Sequence, residues 1–218
     1  MSEPISGNPR DRYEGFPTWF FSRVDESVDS AFYDVARLVT HIDEGAVTEV
    51  SRLYEELGLA DGAVLDLCSS WISHFADRPQ KLVALGMNEA ELARNDQAHS
   101  YVVMDLNERP VLPFENESFD AATCCVSVDY LTRPIEVFEE VARVLRPGGM
   151  FCLTFSNRCF PTKAIRGWLQ TEDQAHCALV ADYFRRSQGT KTWGEPIAQL
   201  RNPGARADPL YGVWASRA

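Results

Sequence analysis

Phe119-Asp120-Ala121-Ala122-Thr123-Cys124-Cys125-Val126-Ser127-Val128 is followed by Ile135, Phe138, Val141, Ala142 and Leu145, then by Arg146-Pro147-Gly148-Gly149 and Met150–Ser156. The first stretch is a short apolar run, the form taken by a strand buried on both faces. The second has apolar residues three and four apart, which places them on one face of a helix, and Pro and Gly stop it. The third is again a short apolar run. Strand, helix, strand is the repeating unit of a parallel sheet, because parallel neighbours need a long crossover.

Working outward, the same alternation recurs. Ala63–Cys68 follows the Asp61-Gly62 turn as one strand, and Lys81–Met87 and Tyr101–Met104 are two more. Upstream, Thr40 and Asp43 open a helix marked by Ile42, Ala46, Val50, Leu53, Tyr54 and Leu57, and Gly58 closes it. Asn88 with Glu91 reads as an N-cap pair, and Thr171 with Gln174 as a capping box before a further helix. The last two runs, Thr192–Leu200 and Leu210–Ser216, have only the turn-rich Asn202-Pro203-Gly204 between them, so they pair antiparallel. The expected fold is α/β: a doubly wound sheet of five parallel strands plus a C-terminal antiparallel hairpin, seven strands in all. It occupies residues 40–218. Residues 1–39, rich in Gly, Pro and aromatics (Tyr13, Phe16, Trp19, Phe20, Phe21, Phe32, Tyr33), form an irregular arm able to serve as a lid. In such sheets ligands bind at the carboxyl ends of the strands, which selects residues 66–74, 88–89, 105–108, 126–130 and 156–160.

Composition bounds the function. The chain has 218 residues, 45% hydrophobic and 24% charged, with a formal net charge of −11. That supports a real core and argues against disorder. No apolar run approaches the ~20 residues that span a bilayer, and Met1-Ser2-Glu3-Pro4 lacks the shape of a signal peptide. A cytoplasmic protein is expected, with no membrane partner. The acidic balance disfavours nucleic acid, although the C-terminal quarter is mildly basic. Six cysteines show no C-x-x-C pair and four histidines are scattered, so no metal site is expected. Adjacent Cys124 and Cys125 should point to opposite faces, as buried free thiols.

Three stretches carry a resemblance: Val64-Leu65-Asp66-Leu67, Asp105-Leu106-Asn107, and Leu112-Pro113-Phe114-Glu115-Asn116-Glu117-Ser118-Phe119-Asp120 running on to Val137 through Val144-Leu145-Arg146-Pro147-Gly148-Gly149. Together they resemble the class I S-adenosylmethionine-dependent methyltransferases, in particular the type 11 group, over residues 40–218. The resemblance implies a Rossmann-like sheet, S-adenosylmethionine as cofactor, and methyl transfer to a small-molecule substrate.

It also implies where the cofactor sits. The family's first turn is Gly-rich; here it reads Asp66-Leu67-Cys68-Ser69-Ser70-Trp71-Ile72-Ser73-His74, without glycine. Asp66, Cys68, Ser69, Ser70 and Trp71 are the loop candidates, with Trp71 placed either to obstruct the cofactor or to stack on it. Asn88, with Glu89 beside it, stands where the family has an acid for the ribose. Asp105 and Leu106 correspond to the adenine contacts, and Val126 and Ser127 to the methionine end. Methyl transfer rests mostly on proximity and orientation, so no loud catalytic motif is required. The candidates for a base are His41, His74 and Tyr130, with Asp129 and Asn157-Arg158 as further contacts. The alternative reading is a catalytically inactive methyltransferase-like binding or regulatory protein, supported by the glycine-free loop and by Asn88. A nicotinamide oxidoreductase is disfavoured, since no G-x-G-x-x-G follows the first strand.

Overall fold

In the computed structural model, which describes residues 11–187 and 192–218, the sheet has seven strands. They are β1 (Ala63–Leu67), β2 (Lys81–Gly86), β3 (Ser100–Val103), β4 (Phe119–Cys125), β5 (Leu145–Phe155), β6 (Ile197–Arg201) and β7 (Leu210–Ser216). Their order is β3-β2-β1-β4-β5-β7-β6. The first five pair parallel, and β7 pairs antiparallel with both β5 and β6. The helices are α1 (Asp29–Tyr33), α2 (Glu44–Glu56), α3 (Glu89–Leu92), α4 (Pro134–Val144), α5 (Arg166–Leu169) and α6 (Asp173–Arg186). No helix of the described residues is long and apolar enough to cross a membrane.

The strand pleat divides the core into two layers. Ala46, Val50 and Leu53 of α2 pack with Val64, Leu82, Ala121 and Cys152 on one face. Phe138 and Val141 of α4 and Phe184 of α6 pack with Leu65, Leu67, Ala122 and Cys124 on the other. Cys124 and Cys125 therefore do face opposite layers, and all six cysteines are free. Asp43 caps α2 by accepting from Ala46 N at 2.9 Å, and Asn88 caps α3 by accepting from Glu91 N at 3.0 Å.

Several boundaries differ from expectation, each for a local reason. Between β1 and β2 the chain makes no helix, because Ser69 and Ser73 bond to Asp66 in place of a helical ladder. β4 stops at Cys125 where Val126 turns to φ 50°. β5 begins at Leu145 and carries the Arg146-Pro147-Gly148-Gly149 turn as a register shift, with Gly148 at φ 80°. Thr171 is not a capping box: its hydroxyl donates back to Gly167 O at 2.8 Å, and α6 starts after Glu172. The penultimate strand starts at Ile197, Trp193 making only a single bridge to Arg217.

Residues 11–39 of the N-terminal arm pack against the sheet's helical layer. Arg23 bridges Ile165, Gly167 N donates to Phe20 O at 2.9 Å, and Phe16, Phe20 and Phe21 pack on the main core. A buried ion cluster pins it. Asp29 receives Arg23 Nη1 at 2.7 Å, Lys163 Nζ at 3.0 Å and Asn107 Nδ2 at 2.9 Å. Lys163 is fully buried. Removing one partner of a buried pair strands the other charge, so Asp29→Ala is expected to cost about 3 kcal/mol of unfolding free energy in urea titrations. A change close to zero would mean that the cluster does not hold the arm.

Candidate functional site

At the carboxyl ends of the parallel strands lies a cavity of about 250 Å³, lined from β1, β2 and β4, from the segments after β3 and β5, and from the arm. Its floor is set by Asp66. This residue is buried and sits in register with Thr123 of β4, whose hydroxyl donates to it at 2.7 Å. Ser69 and Ser73 donate at 2.6 and 2.5 Å. Burial pushes the Asp66 carboxyl up, and the three hydroxyls oppose that shift. Asn95 Nδ2 holds the same loop from the far side, on Ser70 O and Ser73 Oγ.

The loop stands where the family resemblance calls for glycine, and it takes its own path. Cys68 is at φ 53° and Val126 at φ 50°, so two non-glycine residues at the tips of β1 and β4 adopt the left-handed region. Val126 is β-branched, which makes this strained. Such strain clusters at ligand sites. Gly86, at the end of β2, lets the loop close: a Cβ there would lie 2.1 Å from Ser69 O. Cys68, Ser69 and Ser70 line the cavity; Trp71 does not. Its indole instead donates to Val39 O of the arm at 3.2 Å.

At the β2 tip, Asn88 lines the cavity, but both of its amide hydrogens go to the arm, on Tyr33 O at 2.7 Å and Asp34 O at 3.0 Å. Glu91, missed in the sequence, is the carboxylate lining this end; its Oε1 accepts from Arg37 N at 2.6 Å. Glu89 lies outside the lining. Beyond β3, Met104 borders the cavity while Asp105 and Leu106 sit behind it. Asp105 Oδ1 closes a turn by accepting from Asn107 N at 2.8 Å, and Leu106 is buried in the core.

The rest of the cavity lining comes from the tips of β4 and β5 and from the arm. Ser127 bonds Cys125 O through its hydroxyl. Tyr130 is buried and takes Cys68 Sγ at 3.7 Å. Phe160 meets the His41 ring edge-on at 5.2 Å. His41 and His74 both line the cavity, and burial lowers both, His74 to about 4. They stay neutral at pH 7. Asp129 is buried in this wall, and burial raises its carboxyl to about 7. Arg158 lines the rim and bonds Asp208 Oδ1 at 2.9 Å. Among the described residues no cluster of histidines, cysteines and carboxylates could hold a metal ion.

A family model described as a methyltransferase domain, type 11, matches residues 68–153. A solved S-adenosylmethionine-dependent methyltransferase from Mesorhizobium loti superposes with a TM-score of 0.55 at 18% identity, over 80% of this chain and 99% of that one. Residues 68–153 are thus similar to a type 11 methyltransferase domain, and the chain has the fold of the class I S-adenosylmethionine-dependent methyltransferases. It is 31% identical over 117 residues, half of each chain, to the ubiquinone biosynthesis O-methyltransferase of Pseudomonas aeruginosa. It is 24% identical to the methyltransferase GfsG of Streptomyces halstedii, over 70% of this chain and 59% of that protein. The chain spans less than two thirds of the length of these curated relatives.

S-adenosylmethionine is the cofactor of this methyltransferase group, and the residues present fit it. Cys68 and Val126, both left-handed, line the cavity, and His74 Nδ1 is a buried ring nitrogen on its wall with no hydrogen-bond partner among the described residues. Phe160 falls in the 156–160 segment and Tyr33 in the lid arm that the sequence singled out, whereas Arg37 and Glu91 were not singled out for the site, because only the folded arm brings them together. Ser73 and Asn95 were visible only as ordinary polar residues.

Two outcomes test this geometry. Gly86→Ala sets a Cβ against backbone, so it is expected to lower Tm by at least several degrees; an unchanged Tm would mean that the loop does not pack on β2. For Asp129, a folded value of about 7 lies above the unfolded value of about 3.9. The folded chain then binds the proton more tightly, and stability is lost as pH rises through 7. Asp129→Asn removes that loss, so its gain in Tm over the parent chain is expected to grow by several degrees from pH 5 to pH 8. An equal offset at both values would contradict the buried, protonatable carboxyl.

Proposed function

We propose that this chain transfers the methyl group of S-adenosylmethionine to a small-molecule acceptor, with the arm as lid. The observation that carries the reading is a single cavity at the carboxyl ends of the strands, lined by the β1 and β2 tips, Met104, Val126 to Tyr130, the β5 tip and the arm.

S-adenosylmethionine supplies an electrophilic methyl group on a sulfonium, whose departure leaves a neutral thioether. Asp66 and its three hydroxyl donors hold Cys68, Ser69 and Ser70 against the amino-acid end, with Val126 and Ser127 opposite. Asn88 and Glu91 stand at the ribose end. Asp105 and Leu106, behind Met104, back the adenine end. Across the cavity Asp129 is the group matched to holding a proton near neutral pH. His41 and His74 are held neutral, and Tyr130 is driven well above its usual range by burial, so these three shape and orient. Tyr33, Arg37 and Val39 of the arm cover the acceptor and exclude water. A small-molecule acceptor is further supported by a relative named for ubiquinone biosynthesis.

S-adenosylhomocysteine at about a hundred times its Kd should stabilise the chain by about 2.7 kcal/mol, read as a rise in Tm of about 5 °C or more. No shift at millimolar ligand would contradict the reading. It would leave the chain as a methyltransferase-like binding or regulatory protein.

A further inference from the structure

Four carboxylates are buried among the described residues: Asp29, Glu49, Asp66 and Asp129. Three are compensated within the chain. Asp29 has Arg23 and Lys163, Glu49 has Arg52 and Arg201, and Asp66 has its three hydroxyls. Asp129 is the exception. It is 5% exposed and borders the cavity, yet no side chain of the described residues donates to it or pairs with it; its own main-chain amide is its one donor. A buried charge without a partner is costly, and the cost is relieved when a ligand brings the partner.

The cations of the same cavity are turned elsewhere. Arg37 donates to Phe32 O and Val35 O, and Arg158 is held by Asp208. Rings that line the same cavity as Asp129 already face a positive charge: the Arg37 guanidinium lies 5.5 Å from the Phe160 centroid and 5.9 Å from that of Tyr33. Tyr33 in turn meets Tyr130 edge-on at 6.1 Å. A net charge of −11 adds attraction for cations at long range. A hydroxyl compound would give Asp129 a hydrogen bond without the missing charge, and a carboxylate would repel it.

We infer that the methyl acceptor is a small organic amine, cationic in water, whose ammonium pairs with Asp129 and lies against the rings of Tyr33, Tyr130 and Phe160. This rests on the methyltransferase reading above. The chemistry balances. Asp129 takes one proton from the ammonium, becoming the neutral acid and leaving a neutral amine with its lone pair. The new N–C bond then replaces the S–C bond, and the positive charge passes from sulfur to nitrogen. No oxidant or further reactant is needed.

Calorimetry of the full chain saturated with S-adenosylhomocysteine tests this, using probes that share one body. Phenethylamine should bind about tenfold or more tighter than 4-ethylphenol, and 3-phenylpropanoate should not bind. Benzylamine and butylamine extend the amine set. Asp129→Asn should erase the preference for amine over phenol while S-adenosylhomocysteine affinity stays within about twofold. Tyr33→Leu should weaken the amines several-fold and spare the phenol. Binding of S-adenosylhomocysteine with no binding of any amine overturns the inference, as does a phenol bound as tightly as the amine or a preference that survives in Asp129→Asn. Failure of S-adenosylhomocysteine itself to bind overturns the underlying methyltransferase reading.

Discussion

The Asp66 carboxylate, buried at the end of β1 and met by hydroxyls from Ser69, Ser73 and Thr123, is the contact on which the site's geometry depends. It bonds laterally to β4 and forward to the loop, so one side chain fixes both the register of the central strands and the path of the chain leaving them. Family resemblance places glycines and a tight turn here. This chain instead uses side-chain hydrogen bonds and tolerates left-handed backbone at Cys68 and Val126. A carboxylate with several donors is stiff, and stiffness at this point is what a binding floor requires.

The parallel topology supplies the rest. Five strands running the same way place five tips on one edge, and the antiparallel hairpin closes the far side of the sheet without reaching the cavity. The arm adds the roof. It is held at its root by the Arg23–Asp29–Lys163 cluster and near its end by Asn88, whose amide bonds two arm carbonyls while its oxygen caps α3. Buried charge therefore appears in two forms in this molecule. In the arm it is satisfied and structural; at Asp129 it is left for something outside the chain.

Much of this was legible in the sequence, and the reasons are particular. The strands were readable because burial on both faces makes Leu82–Leu85 continuously apolar and Phe119–Cys125 mostly so, and the hairpin because only the turn-rich Asn202-Pro203-Gly204 lies between its runs. Asp43 and Asn88 could be read as caps because capping depends on neighbours three residues away. What depended on distant partners was not readable. Thr171 resembled a cap until Gly167 O took its hydroxyl. Trp71 could be read as obstructing the cofactor or as stacking on it; its indole instead bonds the arm's Val39 O and it does not line the cavity. Asp129 could be read as a candidate contact after a strand, but not as an unpaired one; its isolation comes from elements far apart in the chain. Asp105, Leu106 and Glu89 were assigned by family resemblance, which does not settle whether a side chain of this chain faces the cavity or backs it.

The central claim is that the strand tips around Asp66, Asn88, Met104 and Val126 form one nucleoside-sized site facing a separate acceptor half. A crystal structure of the chain with S-adenosylhomocysteine tests it most directly. The account predicts the adenosyl group between the β2 tip and Met104, the homocysteine over Cys68–Ser70 and Ser127, and its sulfur open toward Asp129 and Phe160. Ligand density elsewhere on the fold, or adenosine filling the space beside Asp129 and Phe160, would contradict it.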